Sequence, residues 1–203
     1  EHVTDPRAFV CAVHGLLKEG GAFYFLVPNI FANTADLVVA DHVNHFSAQS
    51  LQRLLVDAGF TVREINGEAH NSAWVVVAEK SEGVGVEAET KSISQSVHEM
   101  AAYWNEFGDR VSVFEKAGSG AAAIYGSGFY GTFIHASLEQ PEAVVCFLDQ
   151  NPHRQQQVLL GKPIVSPEAL PETVQRLYVG LNPRVAQTEL AAEPLPELEM
   201  FLP

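Results

Sequence analysis

Apolar positions recur in steps of three and four across residues 4–18, at Phe9, Val13, Leu16 and Leu17, and that period predicts a helix. Thr4 or Asp5 can cap it, Pro6 suits its first turn, Lys18 complements its C-terminal dipole and Gly20-Gly21 stops it. The period then changes. Residues 22–27 form a continuous apolar run closed by Pro28-Asn29, the mark of a buried strand. Residues 30–46 read as loop. Ser47 caps a second helix over 48–58, with Leu51, Leu54 and Leu55 facing inward and Gly59 as the stop. Strands are predicted over 60–65 and 72–79, with Gly67 turning the chain between them.

A Gly- and Glu-rich stretch at 81–90 reads as a boundary. Beyond it Ile93, Val97, Met100, Trp104, Phe107, Val111 and Phe114 form one apolar stripe along a long helix of roughly residues 90–116. Such a stripe needs a facing surface, either from the same chain or from a second copy in a homo-oligomer. Residues 121–125 and 144–148 read as strands, the second ending at Asp149, with a helix over 132–138 between them. Ile164-Val165 is extended, Ser166-Pro167-Glu168 starts another helix, and residues 177–181 form a strand ending at Asn182-Pro183. Residues 189–203 are a Pro- and Glu-rich tail. Strands alternating with helices predict an α/β fold with a parallel sheet and right-handed crossovers. Three parts follow: residues 1–80, a linker and long helix over 81–116, and a small parallel-sheet domain over 117–203.

Composition narrows the function classes. The 203 residues carry 12 Lys+Arg against 25 Asp+Glu, a net charge of -13 that is spread along the chain. No segment clusters the basic residues that nucleic acid or an anionic membrane surface requires. No apolar run approaches the roughly 18–20 residues of a membrane span. Cys11 and Cys146 belong to no metal-binding spacing, and the expectation is two buried thiols in a reducing, cytoplasmic compartment.

Two constellations carry candidate chemistry. Gly126-Ser127-Gly128-Phe129-Tyr130-Gly131 follows a predicted strand, opens a helix, and precedes Asp149 at the end of the next strand. That is the context of a nucleotide-binding turn. Gly126 permits the turn, Gly128 lets a phosphate approach, Gly131 lets the helix pack on the sheet, and Asp149 can accept from a ribose diol. The same glycines also serve a Rossmann-like unit that uses them for packing alone. The second constellation is Asp41-His42-x-Asn44-His45, ahead of the helix capped by Ser47. His42 beside Asp41 suits a general base or a substrate-orienting group, and the same polar residues also suit structural hydrogen bonding within a loop. The spacing His42-x-x-His45 has no third ligand at a recognisable interval, so no metal is expected. His70-Asn71-Ser72, in the turn before the strand at 72–79, either converges on that site or is a surface turn.

The residues Glu1-His2-Val3-x-Asp5-Pro6, Leu16-Leu17-Lys18-x-Gly20-Gly21, Asp41-His42-Val43-x-His45-Phe46-Ser47 and Leu51-x-x-Leu54-Leu55-x-x-Ala58-Gly59-Phe60 resemble the second half of a class I S-adenosylmethionine-dependent methyltransferase. Together with the long helix and the compact unit that follows, the chain is similar to the sugar C-methyltransferases, which methylate a carbon of a nucleotide-linked deoxysugar. The resemblance implies S-adenosylmethionine as cofactor and a small-molecule or nucleotide-sugar substrate. It places His42 as the base that removes a proton next to a keto group, with Asp41 beside it. His45, His70, Asn71, Gly126, Ser127, Gly128, Gly131 and Asp149 fall on the substrate side. Glu1 and His2, just after the fourth strand of that fold, fall on the cofactor side. The family's tyrosine shortly before the histidine is replaced by Val38-Val39-Ala40, and its HGG-like stretch reads His70-Asn71-Ser72. The first strand and glycine-rich donor loop are expected upstream of Glu1. The fragment is therefore expected to be inactive and to bind S-adenosylmethionine only weakly by itself. Two other readings stay open: a non-catalytic nucleotide or nucleotide-sugar module at 117–203, and an NAD-dependent oxidoreductase, which lacks a catalytic pair beside the glycine motif.

Overall fold

The computed structural model describes residues 1–81, 93–192 and 198–203, so most of the boundary expected at 81–90 lies outside the described residues. The chain divides into two units, Glu1–His98 and Glu99–Pro203. In the first, α1 spans Pro6–Leu16, and the Asp5 carboxylate caps it by accepting the Ala8 N–H at 2.9 Å. At its other end Lys80 Nζ donates to the carbonyls of His14 and Leu17, each at 3.0 Å, satisfying groups that a helix terminus leaves open. The strands β1 (Ala22–Pro28), β2 (Phe60–Asn66) and β3 (Ala73–Lys80) form one sheet in the order β1-β3-β2. Both outer strands pair antiparallel with β3. They therefore run in the same direction, and the parallel pairing expected from the alternation is interrupted here. The cause is the short β2–β3 connection, too short for the crossover that parallel neighbours need.

Alternation along β1 puts Phe23, Phe25 and Val27 against a core of Val10, Phe46, Leu51, Leu55, Phe60 and Val76. Helix α2 (Ala48–Asp57) contributes Leu51 and Leu55 and starts with a capping box between Ser47 and Ser50. A 3-10 turn at Thr34–Val38 interrupts what the sequence reads as loop. Cys11 is exposed on α1, which corrects the expectation of two buried thiols; Cys146 is buried, and both are free. Cys11 escapes burial because α1 buries only Val10.

In the second unit the order is β6-β7-β5-β4-β8-β9, from β4 (Ala121–Tyr125), β5 (Val144–Leu148), β6 (Val158–Leu159), β7 (Lys162–Val165), β8 (Val174–Val179) and β9 (Glu199–Phe201). Every pair is parallel except the β6–β7 ribbon. The architecture is thus a mixed α/β, Rossmann-like one. From Met100 onward the apolar stripe of α3 (Ser94–Ala117) is used inside this unit, where Met100, Phe107 and Val111 are buried, while Ile93 and Val97 stay exposed. Trp104 stacks on Tyr130, and Phe114 meets Tyr178 edge-on.

Two local expectations fail, and two elements arise that the pattern does not predict, each for an identifiable reason. The helix expected from 166 is only a 3-10 turn, Pro167–Ala169, because Pro171 has no N–H to continue it and restricts Leu170 before it. Strand β8 starts at Val174, earlier than expected, since Gln175 and Arg176 hide its start from a hydrophobic pattern. Asn182-Pro183 reads as a strand end, yet it begins α5 (Pro183–Ala192), with Asn182 Oδ1 accepting the Arg184 N–H. The tail likewise supplies β9, which extends the sheet beside β8.

Arg176 explains how a charge sits in β8. Its guanidinium is buried over the Phe114 ring at 4.1 Å, bonds Glu199 at 2.8 Å, and donates to the carbonyls of Phe114 and Glu115 at the C-terminal end of α3. Each of its three nitrogens donates once, and the helix end gains a cation. Arg176→Met, which keeps the volume, is expected to cost about 2–4 kcal/mol by leaving those carbonyls unpaired. A urea midpoint equal to that of the unaltered chain contradicts this assignment.

Candidate functional site

The loop between β1 and α2 gathers the first unit's titratable groups around one buried carboxylate. Asp36, on the 3-10 turn at Thr34–Val38, is fully buried. A buried carboxylate is costly unless hydrogen-bonded or paired, and here each oxygen has an imidazole partner. His42 Nδ1 lies 2.6 Å from Oδ1, and His45 Nδ1 lies 2.8 Å from Oδ2. An ionised carboxylate only accepts. Both rings therefore carry their proton on Nδ1 and present Nε2 as the lone-pair nitrogen, the orientation a proton-accepting histidine needs.

The backbone holds this loop to the first residues of the chain. Val43 and Asn44 donate their N–H groups to the Glu1 carbonyl, and Asn44 Nδ2 donates to that of Val3. His2 donates through Nδ1 to the Asp41 carbonyl at 2.9 Å, and its ring meets His42 edge-on at 4.8 Å. Glu1, His2 and His42 thus converge, each offering one ligand atom within 4.8 Å of the others. Residues some forty positions apart form this group, so no local spacing signals it.

The partnership expected between Asp41 and His42 is not what holds the ring. Asp41 is exposed and touches His2 instead, while Asp36 takes the orienting role. Chain neighbours in an irregular loop point apart, and the acid six residues upstream is folded underneath. Sequence reasoning missed Asp36. The available signal was an acid inside an otherwise apolar stretch, Leu37-Val38-Val39, just ahead of a histidine pair. His70 and Asn71 lie in the exposed β2–β3 turn, where His70 Nδ1 accepts the Ser72 N–H. No contact among the described residues joins them to Asp36.

The second unit holds a cleft of about 430 Å³ at the C-terminal ends of β4, β5 and β8. The chain leaves β4 toward β5 and β7 on one side and returns to β8 on the other, which makes this a topological switch point. Gly126 turns the chain with φ +104°, a region closed to most side chains. Helix α4 (Phe129–Ser137) starts three residues before the sequence expectation, on Gly128, which supplies no side-chain cap. A Cβ on Gly131 would strike the Gly126 carbonyl, and one on Gly180 would lie 2.6 Å from the Gly131 Cα; around Gly128 there is open space.

Asp149 is already engaged. Its Oδ2 accepts from the N–H and hydroxyl of Ser127, and its Oδ1 accepts from the Asn151 N–H. Arg154 donates to the Ser127 carbonyl at 2.9 Å. A ribose diol would compete with Ser127 for this carboxylate. Burial pushes the Asp149 carboxyl up, but the bonds from Ser127 and Asn151, with Arg154 nearby, outweigh it and leave it below the usual aspartate range. A depressed folded value stabilises fully above the unfolded pKa of about 3.9, and that contribution is lost as pH falls through the folded value. Asp149→Asn is expected to flatten the dependence of the second unit's melting temperature on pH below about 4. An unchanged slope contradicts the assignment.

Residues 1–65 match a family model described as a methyltransferase domain. That span contains Asp36, His42 and His45, and the match supports a methyltransferase. No curated protein matches the chain. No helix among the described residues is long and apolar enough to cross a membrane.

Proposed function

We propose that the chain is part of an S-adenosylmethionine-dependent methyltransferase acting on a nucleotide-linked sugar or small metabolite, with His42 as general base. The observation that carries this reading is the buried Asp36 carboxylate under the Nδ1 of His42, inside the span matched by the methyltransferase model. The donor supplies an electrophilic methyl group. Residues 1–81 fit one rim of a donor pocket: a cleft of about 300 Å³ is lined by Glu1, His2, Phe9, Phe23, Phe25 and Phe46. They do not fit the donor's amino-acid end, because no Gly-x-Gly turn occurs among residues 1–81. What these residues do is hold and move a proton. His42 Nε2 accepts it from the carbon next to the substrate's keto group, the charged ring is stabilised by Asp36, and His45 shares that carboxylate as a polar group facing the substrate.

The test is transfer of isotopically labelled methyl from S-adenosylmethionine to a nucleotide-linked keto sugar by the intact enzyme. The label is expected on carbon. Label on oxygen or nitrogen, or none, overturns the reading.

The switch-point cleft favours a second reading, in which residues 117–203 hold a nucleotide or nucleotide sugar without chemistry of their own. A nucleotide sugar would then raise the second unit's melting temperature, as ligands of the folded state do, while S-adenosylmethionine would not. No shift with any nucleotide sugar counts against it.

A further inference from the structure

We infer that Glu1, His2 and His42 form a binding site for a divalent transition-metal ion of the zinc type. One ligand atom from each lies within 4.8 Å of the others, and two imidazoles with one carboxylate are a donor set that zinc accepts, water completing the shell.

The stronger argument is the orientation of the two rings. Metal-ligating histidines characteristically donate their other N–H to a carboxylate or a carbonyl, which fixes the tautomer and the ring. Both arrangements are present here. His42 gives its Nδ1 proton to Asp36 at 2.6 Å, and His2 gives its Nδ1 proton to the Asp41 carbonyl at 2.9 Å. Each ring therefore presents Nε2, and His2 Nε2 lies 3.7 Å from a Glu1 carboxylate oxygen. Tetrahedral bonds of about 2.0–2.1 Å place ligand atoms roughly 3.3–3.5 Å apart. The cluster needs to close by an ångström or so, through side-chain rotation of Glu1 and the half-exposed His2, while the buried Asp36 keeps His42 in place. His45 is held on the same carboxylate but is not one of the three converging groups.

The site has a chemical consequence. The ion occupies His42 Nε2, the nitrogen that the proposed proton transfer uses, so metal and proton exclude each other there. Zinc is then an inhibitor, reversed by a chelator. Only this consequence rests on the methyl-transfer reading; binding itself does not.

The experiment is calorimetric titration of the chelator-treated chain with zinc chloride, with cobalt(II) as a coloured substitute. One ion per chain is expected. His2→Ala, at an exposed position, and His42→Ala should each abolish it. Asp36→Asn should keep the stoichiometry and weaken affinity by about 10–100-fold, as loss of an orienting partner does. His153→Ala in the second unit should bind like the unaltered chain. Absence of binding, or binding undiminished in His2→Ala and His42→Ala, overturns the site. Either result leaves the methyl-transfer assay to judge the other proposal.

Discussion

Replacing His42 by alanine in the intact enzyme is expected to lower turnover by roughly 10²–10⁴-fold, the contribution of a positioned general base. The side chain is mostly buried, yet little of the fold hangs on it: the core of this unit is built from Leu51, Leu55, Phe60 and Val76. The melting temperature should therefore move far less than the rate. Asp36→Asn should also lower turnover, because a neutral amide no longer stabilises the charged ring and can itself offer an N–H to Nδ1, favouring the wrong tautomer. Its rate loss should persist in protein shown to be fully folded, which a purely structural defect would not produce. Steady-state kinetics across the neutral range check both variants. An unchanged rate in His42→Ala removes the histidine from the chemistry.

The second large effect is on stability. Gly131→Ala is expected to destabilise the second unit by about 3 kcal/mol or more, at the top of the range for overpacking. The new Cβ would meet backbone, the Gly126 carbonyl group, with the Gly126 carbon at 3.1 Å and the Ile124 side chain at 3.3 Å. Backbone cannot step aside as a flexible side chain can. The turn and the helix start are fixed to each other here, since Gly180 also packs closely against Gly131. Gly128→Ala is the contrasting case. Nothing lies within 4 Å of its added Cβ, so folding should lose only the small difference between a glycine and an alanine N-cap, while an anion approaching the start of α4 would meet a methyl group. Urea unfolding of the two variants side by side makes the comparison. Equal midpoints contradict the packing argument.

How much of this the sequence discloses depends on whether the cause is local. The period of Phe9, Val13 and Leu16/Leu17, the Ser47 cap and the run at 22–27 are local, and α1, α2 and β1 follow from them. The glycine motif is local too, and it does sit between β4 and α4 at the switch point. Charged residues inside elements hide them. Arg176 looks like a surface residue until Phe114, Glu115 and Glu199 surround it. The Pro- and Glu-rich tail looks unstructured until β8 provides an edge for it. At the candidate site, His42 and His45 are legible as a pair, but the atom that organises them is not. Asp41 adjoins His42 in sequence, whereas Asp36 adjoins it in space, and only the 3-10 turn makes the difference. His2 reaches His42 across some forty residues by way of the hydrogen bonds between Glu1 and Val43-Asn44.

In the proposed reaction His42, oriented by Asp36, takes a proton from carbon next to a keto group. This step is tested most directly by incubating the intact enzyme with a nucleotide-linked keto sugar in deuterated water, without methyl donor, and following deuterium entering that carbon by NMR. Exchange is expected with the unaltered enzyme, and exchange slowed to the solvent background in a folded His42→Ala variant. Equal exchange in both would contradict it.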